Sequence, residues 1–359
     1  MKNTFGESVA LTLFGESHGT AIGAVLDGRA PGIDVDEAFI AHQMRLRRSV
    51  SSLSTPRAEK DEVKIVSGVF EGKTMGTPIT FIIENKDTKS EHYSEMKSLV
   101  RPGHADYTAN EKYHGFSDYR GGGHFSGRLT APIVAAGALA ISALRKKGIY
   151  IGTHILSVAG IRDRDFINIY DDILALSEMD FAALDKEKSI EMKKAIEDAR
   201  ADGDSVGGVL ETVIIGLPKG VGEPWFDSLE SRLSHMMFSI PAVKGVEFGD
   251  GFALADMRGS EANDNFTLNG TETNRAGGIL GGISNGMPIV MRCAVKPTPS
   301  ISKPQRTVNI KENRIEEICV RGRHDPAIVH RARVVMDSAA ALVLCDMLAL
   351  RYGTDFLAK

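Results

Sequence analysis

The sequence predicts an α+β fold in which antiparallel sheets enclose buried helices. Helix and strand patterns are interleaved along the 359 residues, but the strands come in hairpin-like pairs, as antiparallel strands do. One long helical pattern is apolar on nearly all sides, so it needs cover on more than one face, as it would have between two sheets. No G-x-G-x-x-G word follows a strand and opens a helix, which argues against a dinucleotide-binding sheet.

The first part of the chain predicts a strand, a helix and a hairpin. Residues 20–28 form a short apolar strand that leads into a turn, and residues 36–48 form a helix with apolar side chains at helical spacing. Residues 64–72 and 77–85 are two strands joined by a turn that contains glycine. Residues 86–128 show little periodicity, and such long irregular stretches in compact domains are usually functional.

Two apolar helices follow, one in the middle of the chain and one near its end. Residues 130–148 are predicted to begin with Thr130 as the cap, to carry Pro132 in the first turn and to end at Gly148. Alanine and leucine fill the positions between, so this helix should be buried. Residues 331–353 form the second apolar helix.

A weak internal echo suggests two similar halves. The chain between the two apolar helices predicts a surface helix at 185–203, a strand at 207–218, a helix at 225–241 and a strand at 286–297. The word GRLTAPIV at 127–134 is similar to GRHDPAIV at 322–329, and each leads into an alanine-rich helix. We therefore expect an internal pseudo-twofold axis.

Composition and charge limit the class of protein. The chain is 42% hydrophobic and 25% charged with a formal net charge of −4, whereas chains that bind nucleic acid or an anionic membrane are usually basic. The start lacks the features of a signal peptide, and no segment approaches the ~20 apolar residues of a membrane span, so a cytoplasmic protein is expected. Cys293, Cys319 and Cys345 fit neither metal nor disulfide spacing and are predicted to be small buried side chains.

Six words rich in histidine, arginine and glycine are spread over the chain. They are FGESHG at 14–19, RPGHADYT at 101–108, YRGGGHFSGR at 119–128, GGILGGISNG at 277–286, KPTPSI at 296–301 and GRHDP at 322–326. A phosphorylated ligand would use arginine to hold anions, histidine to move protons and glycine to let the backbone approach. The words therefore predict a site for a compact, multiply charged small molecule.

Each word also has a simpler interpretation. His18 at its tight turn is a candidate proton donor, a solvent-exposed histidine or a cap on a backbone carbonyl. In RPGHADYT, Arg101 offers an anion fork and His104 can protonate a leaving phosphate, but the word also describes an ordinary turn. Arg47 and Arg48 end the 36–48 helix, where cations also suit the helix dipole.

The glycine-rich and acidic words allow similar alternatives. The three glycines before His124 can form an anion nest that leads to a helix N-terminus, with Ser126 and Arg128 adding polar contacts, or they can be a flexible surface loop. The paired glycines of GGILGGISNG can be hairpin geometry alone. In GRHDP, an extended backbone puts Arg323 and Asp325 on one side, where the arginine favours an ionised carboxylate that can accept a proton.

In order and spacing, the words FGESHG, RPGHADYT, RGGG, AGGILGGISNG, KPTPSI and GRHDP resemble the chorismate synthase family, from about Thr4 to about Tyr352. The resemblance implies one domain over 1–359, a β-α-β sandwich and a homotetramer. It implies a lyase that converts 5-enolpyruvylshikimate 3-phosphate to chorismate and phosphate by 1,4-elimination, the last common step of the shikimate pathway. It also implies reduced FMN as an obligatory cofactor without net redox change, allows NADPH as its reductant, and implies no metal.

The resemblance implies roles for single residues. His18 is similar to the histidine that protonates reduced flavin, His104 to the one that serves the leaving phosphate, and Asp325 to the carboxylate that works with flavin N5 in removing the ring proton. The residues implied to bind substrate are Arg47, Arg48 and Arg101. The residues implied to lie on FMN-contacting segments are His124, Phe125, Ser126, Pro241, Ala242, Gly281, Lys296, Pro297, Thr298, Pro299, Ser300 and Arg323.

Two other classes of protein remain open at this stage. A flavin- or NADPH-linked oxidoreductase acting on a phosphorylated small molecule would use similar phosphate-binding words, but its turnover would show a net redox change. A non-catalytic protein that binds a phosphorylated ligand would need the arginine and glycine words. It would not need His18, His104 and Asp325 together.

Overall fold

The computed structural model describes residues 2–48, 53, 61–86, 98–320 and 325–358. Strands and helices follow one another in two successive halves. The first half contains β1 (Thr4–Phe5), β2 (Ala10–Gly15), β3 (Ala21–Asp27), α1 (Glu37–Arg47), β4 (Val63–Ser67), β5 (Val69–Phe70), β6 (Lys73–Thr74), β7 (Ile79–Glu84), α2 (Asp106–Lys112) and α3 (Thr130–Lys146), with 3-10 turns at Arg120–Phe125 and Gly127–Leu129.

The second half is longer and carries more helices on its surface. It contains β8 (Tyr150–Val158), β9 (Ile161–Arg162), α4 (Ile169–Leu176), α5 (Lys186–Ala201), β10 (Gly208–Ile215), α6 (Leu229–Ser239), β11 (Val243–Phe248), α7 (Gly259–Ala262), β12 (Phe266–Thr267), β13 (Gly270–Thr271), β14 (Ile279–Leu280), β15 (Ile283–Ser284), β16 (Ile289–Val295), β17 (Gln305–Asn309), β18 (Arg314–Ile318) and α8 (Val329–Tyr352), with 3-10 turns at Trp225–Asp227, Gly251–Asp256 and Thr354–Leu357.

Two five-stranded antiparallel sheets enclose the central helices. The strand order is β1-β2-β3-β7-β4 in the first sheet and β11-β16-β10-β8-β9 in the second. Helix α3 packs on β3 and β7, helix α8 packs on β8 and β10, and the two helices pack on each other. This arrangement confirms the predicted α+β fold with antiparallel sheets around buried helices.

Helices α3 and α8 run in the same direction through the core. A Cβ atom on Gly137 of α3 would lie 2.3 Å from Cβ of Ser338 in α8, so only glycine permits this approach. Further along both helices, the thiol of Cys345 lies 4.0 Å from the carbonyl oxygen of Ala140. The second contact lies nearer the C-terminus than the first in both helices, so both helices begin at the same end of the sandwich.

The two halves repeat one topology, as the internal echo suggested. The order β2-β3-β7-β4 of the first sheet corresponds to β8-β10-β16-β11 of the second, and α3 and α8 follow the last strand of each set. Thr74 and Ser284 occupy matching places in the hairpins β5–β6 and β14–β15. The Thr74 hydroxyl donates to the carbonyl of Ala30 and accepts from the amide of Ile33. In the same way, the Ser284 hydroxyl donates to the carbonyl of Pro218 and accepts from the amide of Val221. The fold therefore has an internal pseudo-twofold.

Three local expectations were wrong. Thr130 is the first residue of α3 and not its cap, since its hydroxyl donates to the carbonyl of Gly127 at 2.6 Å. Cys319 is exposed, in contrast to Cys293 and Cys345. Strand β8 was missed because the polar residues Thr153 and His154 interrupt its apolar pattern, although both are fully buried.

The expectation that no segment approaches the length of a membrane span was also wrong. In the described part of the chain, the helical stretch Gly127–Lys146 is long and apolar enough to cross a membrane by length and composition alone. Inside the fold, this stretch is largely buried. Its apolar character is therefore that of a core helix packed between a sheet and α8.

A row of charged side chains crosses the second sheet on the side opposite α8. His154, Glu211 and Arg292 are direct neighbours on β8, β10 and β16. The His154 ring lies 2.9 Å from the carboxylate of Asp163 and 3.3 Å from that of Glu211, which also accepts from Arg292 Nε at 2.6 Å. Burial alone lowers the pKa of His154, but its two carboxylate partners outweigh burial and raise this pKa above the ordinary histidine value.

We expect the fold to lose stability as pH rises through the raised pKa of His154. A group with a raised folded-state pKa stabilises the fold fully below its unfolded pKa, near 6.5 here, and loses that contribution above the folded value. Urea unfolding between about pH 6 and pH 9 measures this slope. His154→Gln should be less stable than the parent at the acid end and should show a smaller slope. The exposed His114→Asn serves as the control, and an equal slope in His154→Gln and the parent would contradict the prediction.

Candidate active site

Most of the predicted site residues that the structure describes gather at the end of the sandwich where α3 and α8 begin. Thr130 opens α3, Asp325 lies four residues before α8, and Arg47 is the last residue of α1. The β2–β3 turn carries His18, and Lys296 directly follows β16. Because two long buried helices present their N-termini here, their dipoles favour a negatively charged ligand at this end.

Two glycines separate the two predicted catalytic histidines. Gly121 and Gly122 have φ values of 59° and 96°, a region that favours glycine. A Cβ atom on Gly121 would lie 2.1 Å from Cε1 of His18, and one on Gly122 would lie 3.3 Å from Nε2 of His104. The glycine run therefore lies against both rings. His18 is only 7% exposed, so the solvent-exposed alternative is wrong.

Asp106 holds the RPGH turn, although the sequence analysis gave this residue no role. Arg101 donates from Nε to Oδ2 at 2.7 Å and from Nη2 to Oδ1 at 2.8 Å. Nδ1 of His104 lies 2.6 Å from Oδ1. Burial raises the pKa of Asp106, but the hydrogen bonds and charges of Arg101 and His104 outweigh it and hold this pKa well below its usual range. The signal in the sequence was an aspartate two residues after a histidine and five after an arginine.

The KPTPS segment lies against the same turn. Lys296 Nζ donates to the carbonyl of Gly103 at 2.5 Å, and a Cβ atom on Gly103 would lie 3.4 Å from Cβ of Pro299. The hydroxyl of Ser205 donates to the carbonyl of Thr298 at 2.7 Å. The structure thus brings the segment 296–300 next to Arg101 and His104.

A strained turn connects α6 to β11 at the predicted positions Pro241 and Ala242. The amide of Val243 donates to the carbonyl of Ile240 at 3.3 Å, and the amide of Lys296 donates to the carbonyl of Ala242 at 2.9 Å. Ala242 has a φ of 75°, which for a residue with a Cβ costs on the order of 1 kcal/mol or more. Backbone strain of this kind is frequent at ligand-binding sites.

Arg47 is buried at this end of the fold and forms hydrogen bonds with several segments. Its side chain is 4% exposed, and it donates to Thr130 Oγ1 at 2.9 Å, to Asp61 Oδ2 at 3.1 Å and to the carbonyl of Gly127 at 2.9 Å. Arg128 donates to the other oxygen of Asp61 at 2.7 Å. One carboxylate therefore pairs two buried guanidinium groups. Direct binding of substrate by Arg47 stays a prediction.

Asn85 connects this cluster to the turn that carries His18. Its side-chain oxygen accepts from Arg128 Nε, and its amide donates to the carbonyls of Glu16 at 3.0 Å and Gly19 at 2.8 Å. Burial raises the pKa of Asp61, but the neighbouring arginines outweigh burial and lower it, which favours the charged carboxylate. Sequence reasoning missed both residues because neither belongs to one of the six words.

Asp325 pairs with an arginine that the sequence analysis did not single out. Arg331 donates from Nη1 to Oδ2 of Asp325 at 2.5 Å and from Nε to the carbonyl of Arg47 at 3.2 Å. Asp325 belongs to none of the strands, whereas Arg331 lies in the first turn of α8. The expected partner Arg323 lies outside the described residues. The cation observed beside Asp325 therefore comes from the helix that follows.

The segment His124–Phe125–Ser126 is held mainly by its own side chains. His124 Nδ1 lies 2.9 Å from the carbonyl oxygen of Gly15, to which it can donate, and Ser126 Oγ accepts from the amide of Arg128 at 3.3 Å. Phe125 is 39% exposed and stands edge-on to another aromatic ring. Of the three side chains, Phe125 is the one with an exposed apolar ring.

Arg48 follows Arg47 at the end of α1 and is half-buried, with its amide donating to the Arg45 carbonyl at 3.0 Å. Substrate binding by Arg48 stays a prediction. Gly281, in contrast, stands apart from this cluster. Gly281 lies in the β14–β15 turn, next to a glycine whose Cβ would contact Ser228 at the start of α6. Strand β16, 7 residues long, separates that end of the sheet from Lys296, about 20 Å at a strand rise of ~3.3 Å. Within one chain, the structure does not bring Gly281 to the site.

Comparisons with known proteins agree with the geometry. The chorismate synthase family model matches residues 9–349. The chain is 47% identical to the chorismate synthase of Pyrococcus abyssi, covering 96% of this chain and 97% of the relative, and 45% identical to that of Thermococcus kodakarensis, covering 99% of each. A crystal structure of chorismate synthase matches with a TM-score of 0.76 at 29% identity, covering 98% of this chain and 94% of that one.

The match in sequence and the match in fold both extend over nearly the full chain, and they confirm the resemblance found from the motifs. The chain belongs to the chorismate synthase family and is an enzyme, a lyase of the shikimate pathway to the aromatic amino acids.

Proposed function

We propose that this enzyme converts 5-enolpyruvylshikimate 3-phosphate to chorismate and phosphate by 1,4-elimination, with reduced FMN and without net redox change. The observation that carries the proposal is the contact of two neighbouring glycines with two histidine rings, Gly121 with His18 and Gly122 with His104. Two proton-transfer groups thereby adjoin one strip of backbone without side chains. Two helix N-termini face the same end, which suits a substrate with two carboxylates and a phosphate.

The residues at this end fit a flavin. Gly121 and Gly122 provide backbone without side chains, Phe125 offers an exposed ring, and the segment 296–300 meets the strained Ala242. These are the segments that would hold FMN. When bound, reduced FMN supplies electron density to the allylic C–O bond that breaks. NADPH as the reductant of the flavin is part of the same proposal.

Arg101 and His104 would bind and protonate the leaving phosphate. Arg101 uses Nε and Nη2 on Asp106, and within the described residues its Nη1 carries no hydrogen bond, so this nitrogen can reach a substrate oxygen. His104 turns Nε2 toward the glycine run, the side from which a ligand is reached. A proton given by Nε2 to the phosphate would help it to leave.

His18 and Asp325 would handle the other protons. His18 is buried with Nδ1 3.2 Å from Ser17 Oγ, so its ring is positioned by the protein and shielded from solvent. Asp325 is held in place by Arg331, and its side chain would accept the ring proton. Electrostatic attraction by the surrounding arginines would complete the binding of the substrate anions.

The remaining proposals concern the chain as a whole. We propose that residues 1–359 act as one domain, which is supported by a continuous hydrophobic core with residues from both halves. We also propose a cytoplasmic enzyme that acts on a small molecule, with neither nucleic acid nor a membrane as partner. The net charge of −4 supports this view.

We expect strict dependence on reduced FMN. The protein is incubated anaerobically with the enolpyruvyl phosphate, FMN and a chemical reductant, and chorismate absorbance and free phosphate are followed. One phosphate should appear per chorismate, while the reduced flavin is not consumed. Turnover with oxidised FMN or without flavin would refute the flavin proposal. Stoichiometric loss of reduced flavin would instead indicate an oxidoreductase.

We expect Asp325→Asn to bind flavin and substrate but to react slowly. The substitution keeps the shape of the side chain and removes its basicity, so the chemical step should slow by roughly 10²–10⁴-fold. Single-turnover stopped-flow measurements with reduced FMN test this rate directly. Asp180→Asn is the control, because Asp180 also accepts from an arginine, Arg45, at 2.7 Å but lies on the exposed surface. Chorismate formation by Asp325→Asn at the parent rate would leave Asp325 as a structural partner of Arg331.

We expect a homotetramer in solution. Trp225 is 84% exposed and Phe226 is 90% exposed. Other large apolar side chains of the second half are also exposed, and such surfaces usually become buried in an assembly. If Gly281 contacts FMN as the family resemblance implies, it does so in a neighbouring copy. Light scattering at micromolar concentration should give four times the chain mass of 38.8 kDa. Trp225→Ser with Phe226→Ser should lower that mass, and a monomeric parent would contradict the assembly.

A further inference from the structure

Asp106 makes more contacts than a turn of this size requires. Its carboxylate accepts from Nε and Nη2 of Arg101 and from the Arg101 amide at 3.0 Å. Oδ1 also lies 2.6 Å from Nδ1 of His104. The Asp106 side chain is 13% exposed, so this contact is largely shielded from water. One carboxylate therefore fixes both groups that would meet the leaving phosphate.

The short contact decides which nitrogen of His104 carries a proton. Oδ1 of an ionised carboxylate is an acceptor, so at 2.6 Å Nδ1 must be the donor, since two acceptors would repel at that distance. Nη2 of Arg101, 3.1 Å from Nδ1, then faces another donor and makes no hydrogen bond to it, while one of its two hydrogens is donated to Oδ1 of Asp106. Nε2 is therefore the nitrogen that gains or loses the proton, and it faces Gly122.

The other charged groups near His104 do not accept the proton of its Nδ1. Arg101 and Asp106 belong to the same turn, and Lys296 from the end of β16 directs its ammonium to the carbonyl of Gly103. His18 lies across the glycine run. Among the described groups facing His104, Asp106 is thus the carboxylate that touches its ring.

We propose that Asp106 is a positioning residue of this enzyme, which holds His104 with the proton on Nδ1 and Nε2 toward the substrate while it aligns Arg101 with the same phosphate. The inference rests on the proposed function, since it gives Asp106 a role in phosphate departure. A carboxylate bound to the far nitrogen of a histidine orients the ring and fixes its tautomer. Asp106 itself gives no proton to the substrate.

The test is the pH profile of chorismate formation with reduced FMN in Asp106→Asn. Without the carboxylate, Nδ1 of His104 loses the acceptor that holds its proton. The alkaline pH at which kcat falls to half should therefore move to lower pH. We also expect kcat to fall by roughly 10–10²-fold and KM to rise, because Arg101 loses its alignment. Asp106→Glu keeps the charge, so its alkaline limb should stay near that of the parent although kcat falls.

Asp172→Asn is a matched control, because Asp172 also accepts two hydrogen bonds from one arginine, Arg164, and one from a backbone amide, but touches no histidine. The pH profile of kcat in Asp172→Asn should have the same shape as that of the parent enzyme. In a His104→Gln background, Asp106→Asn should change kcat much less than in the parent. Should Asp106→Asn not fold, Asp106→Glu carries the test.

Two outcomes overturn different statements. A parent enzyme that forms no chorismate with reduced FMN overturns the proposed function. An active parent whose Asp106→Asn variant keeps the alkaline limb, or an Asp106→Glu variant whose limb moves by a unit, overturns the role of Asp106 alone. The same holds if Asp106→Asn lowers kcat equally with and without His104.

Discussion

The close packing of α3 against α8 is the constraint on which the site depends. A Cβ atom on Gly137 would lie 2.6 Å from Cα of Ser338, so a single glycine permits the helices to meet. Because they run in the same direction, both N-termini lie at one end of the sandwich. Their dipoles add there and favour anions. The same field disfavours cations. An arginine can therefore be buried at this end only if it has an anionic partner.

Asp61 is the partner that makes this concentration of arginine feasible. A buried arginine without a counter-charge is costly, and Arg47 and Arg128 share the two oxygens of the one carboxylate. Asp61 thereby gives each of these two buried cations an anionic partner. Through Asn85 and Arg331, the same cluster reaches the turn of His18 and the carboxylate of Asp325.

The sequence was informative wherever residue type alone carried the signal. His18 and His104 lie in words whose composition indicates a site, and the long apolar helices and paired strands predicted the antiparallel sandwich. Asp61 and Asn85 could not be found in this way, because their roles arise from contacts across 14 to 69 positions of the chain. Strand β8 was missed for the same physical reason. Its Thr153 is buried only because Thr212 and Asp337 satisfy its hydroxyl.

The internal repeat shows how a symmetric frame can give an asymmetric site. In the alignment of GRLTAPIV with GRHDPAIV, Thr130 corresponds to Asp325, each next to the start of a central helix. Each is contacted by a buried or half-buried arginine, Thr130 by Arg47 and Asp325 by Arg331. One half thus presents a neutral hydroxyl that builds structure, and the other presents a carboxylate that can accept a proton. The repeat fixes the places of both side chains, and their divergence therefore sets which of the two can accept a proton.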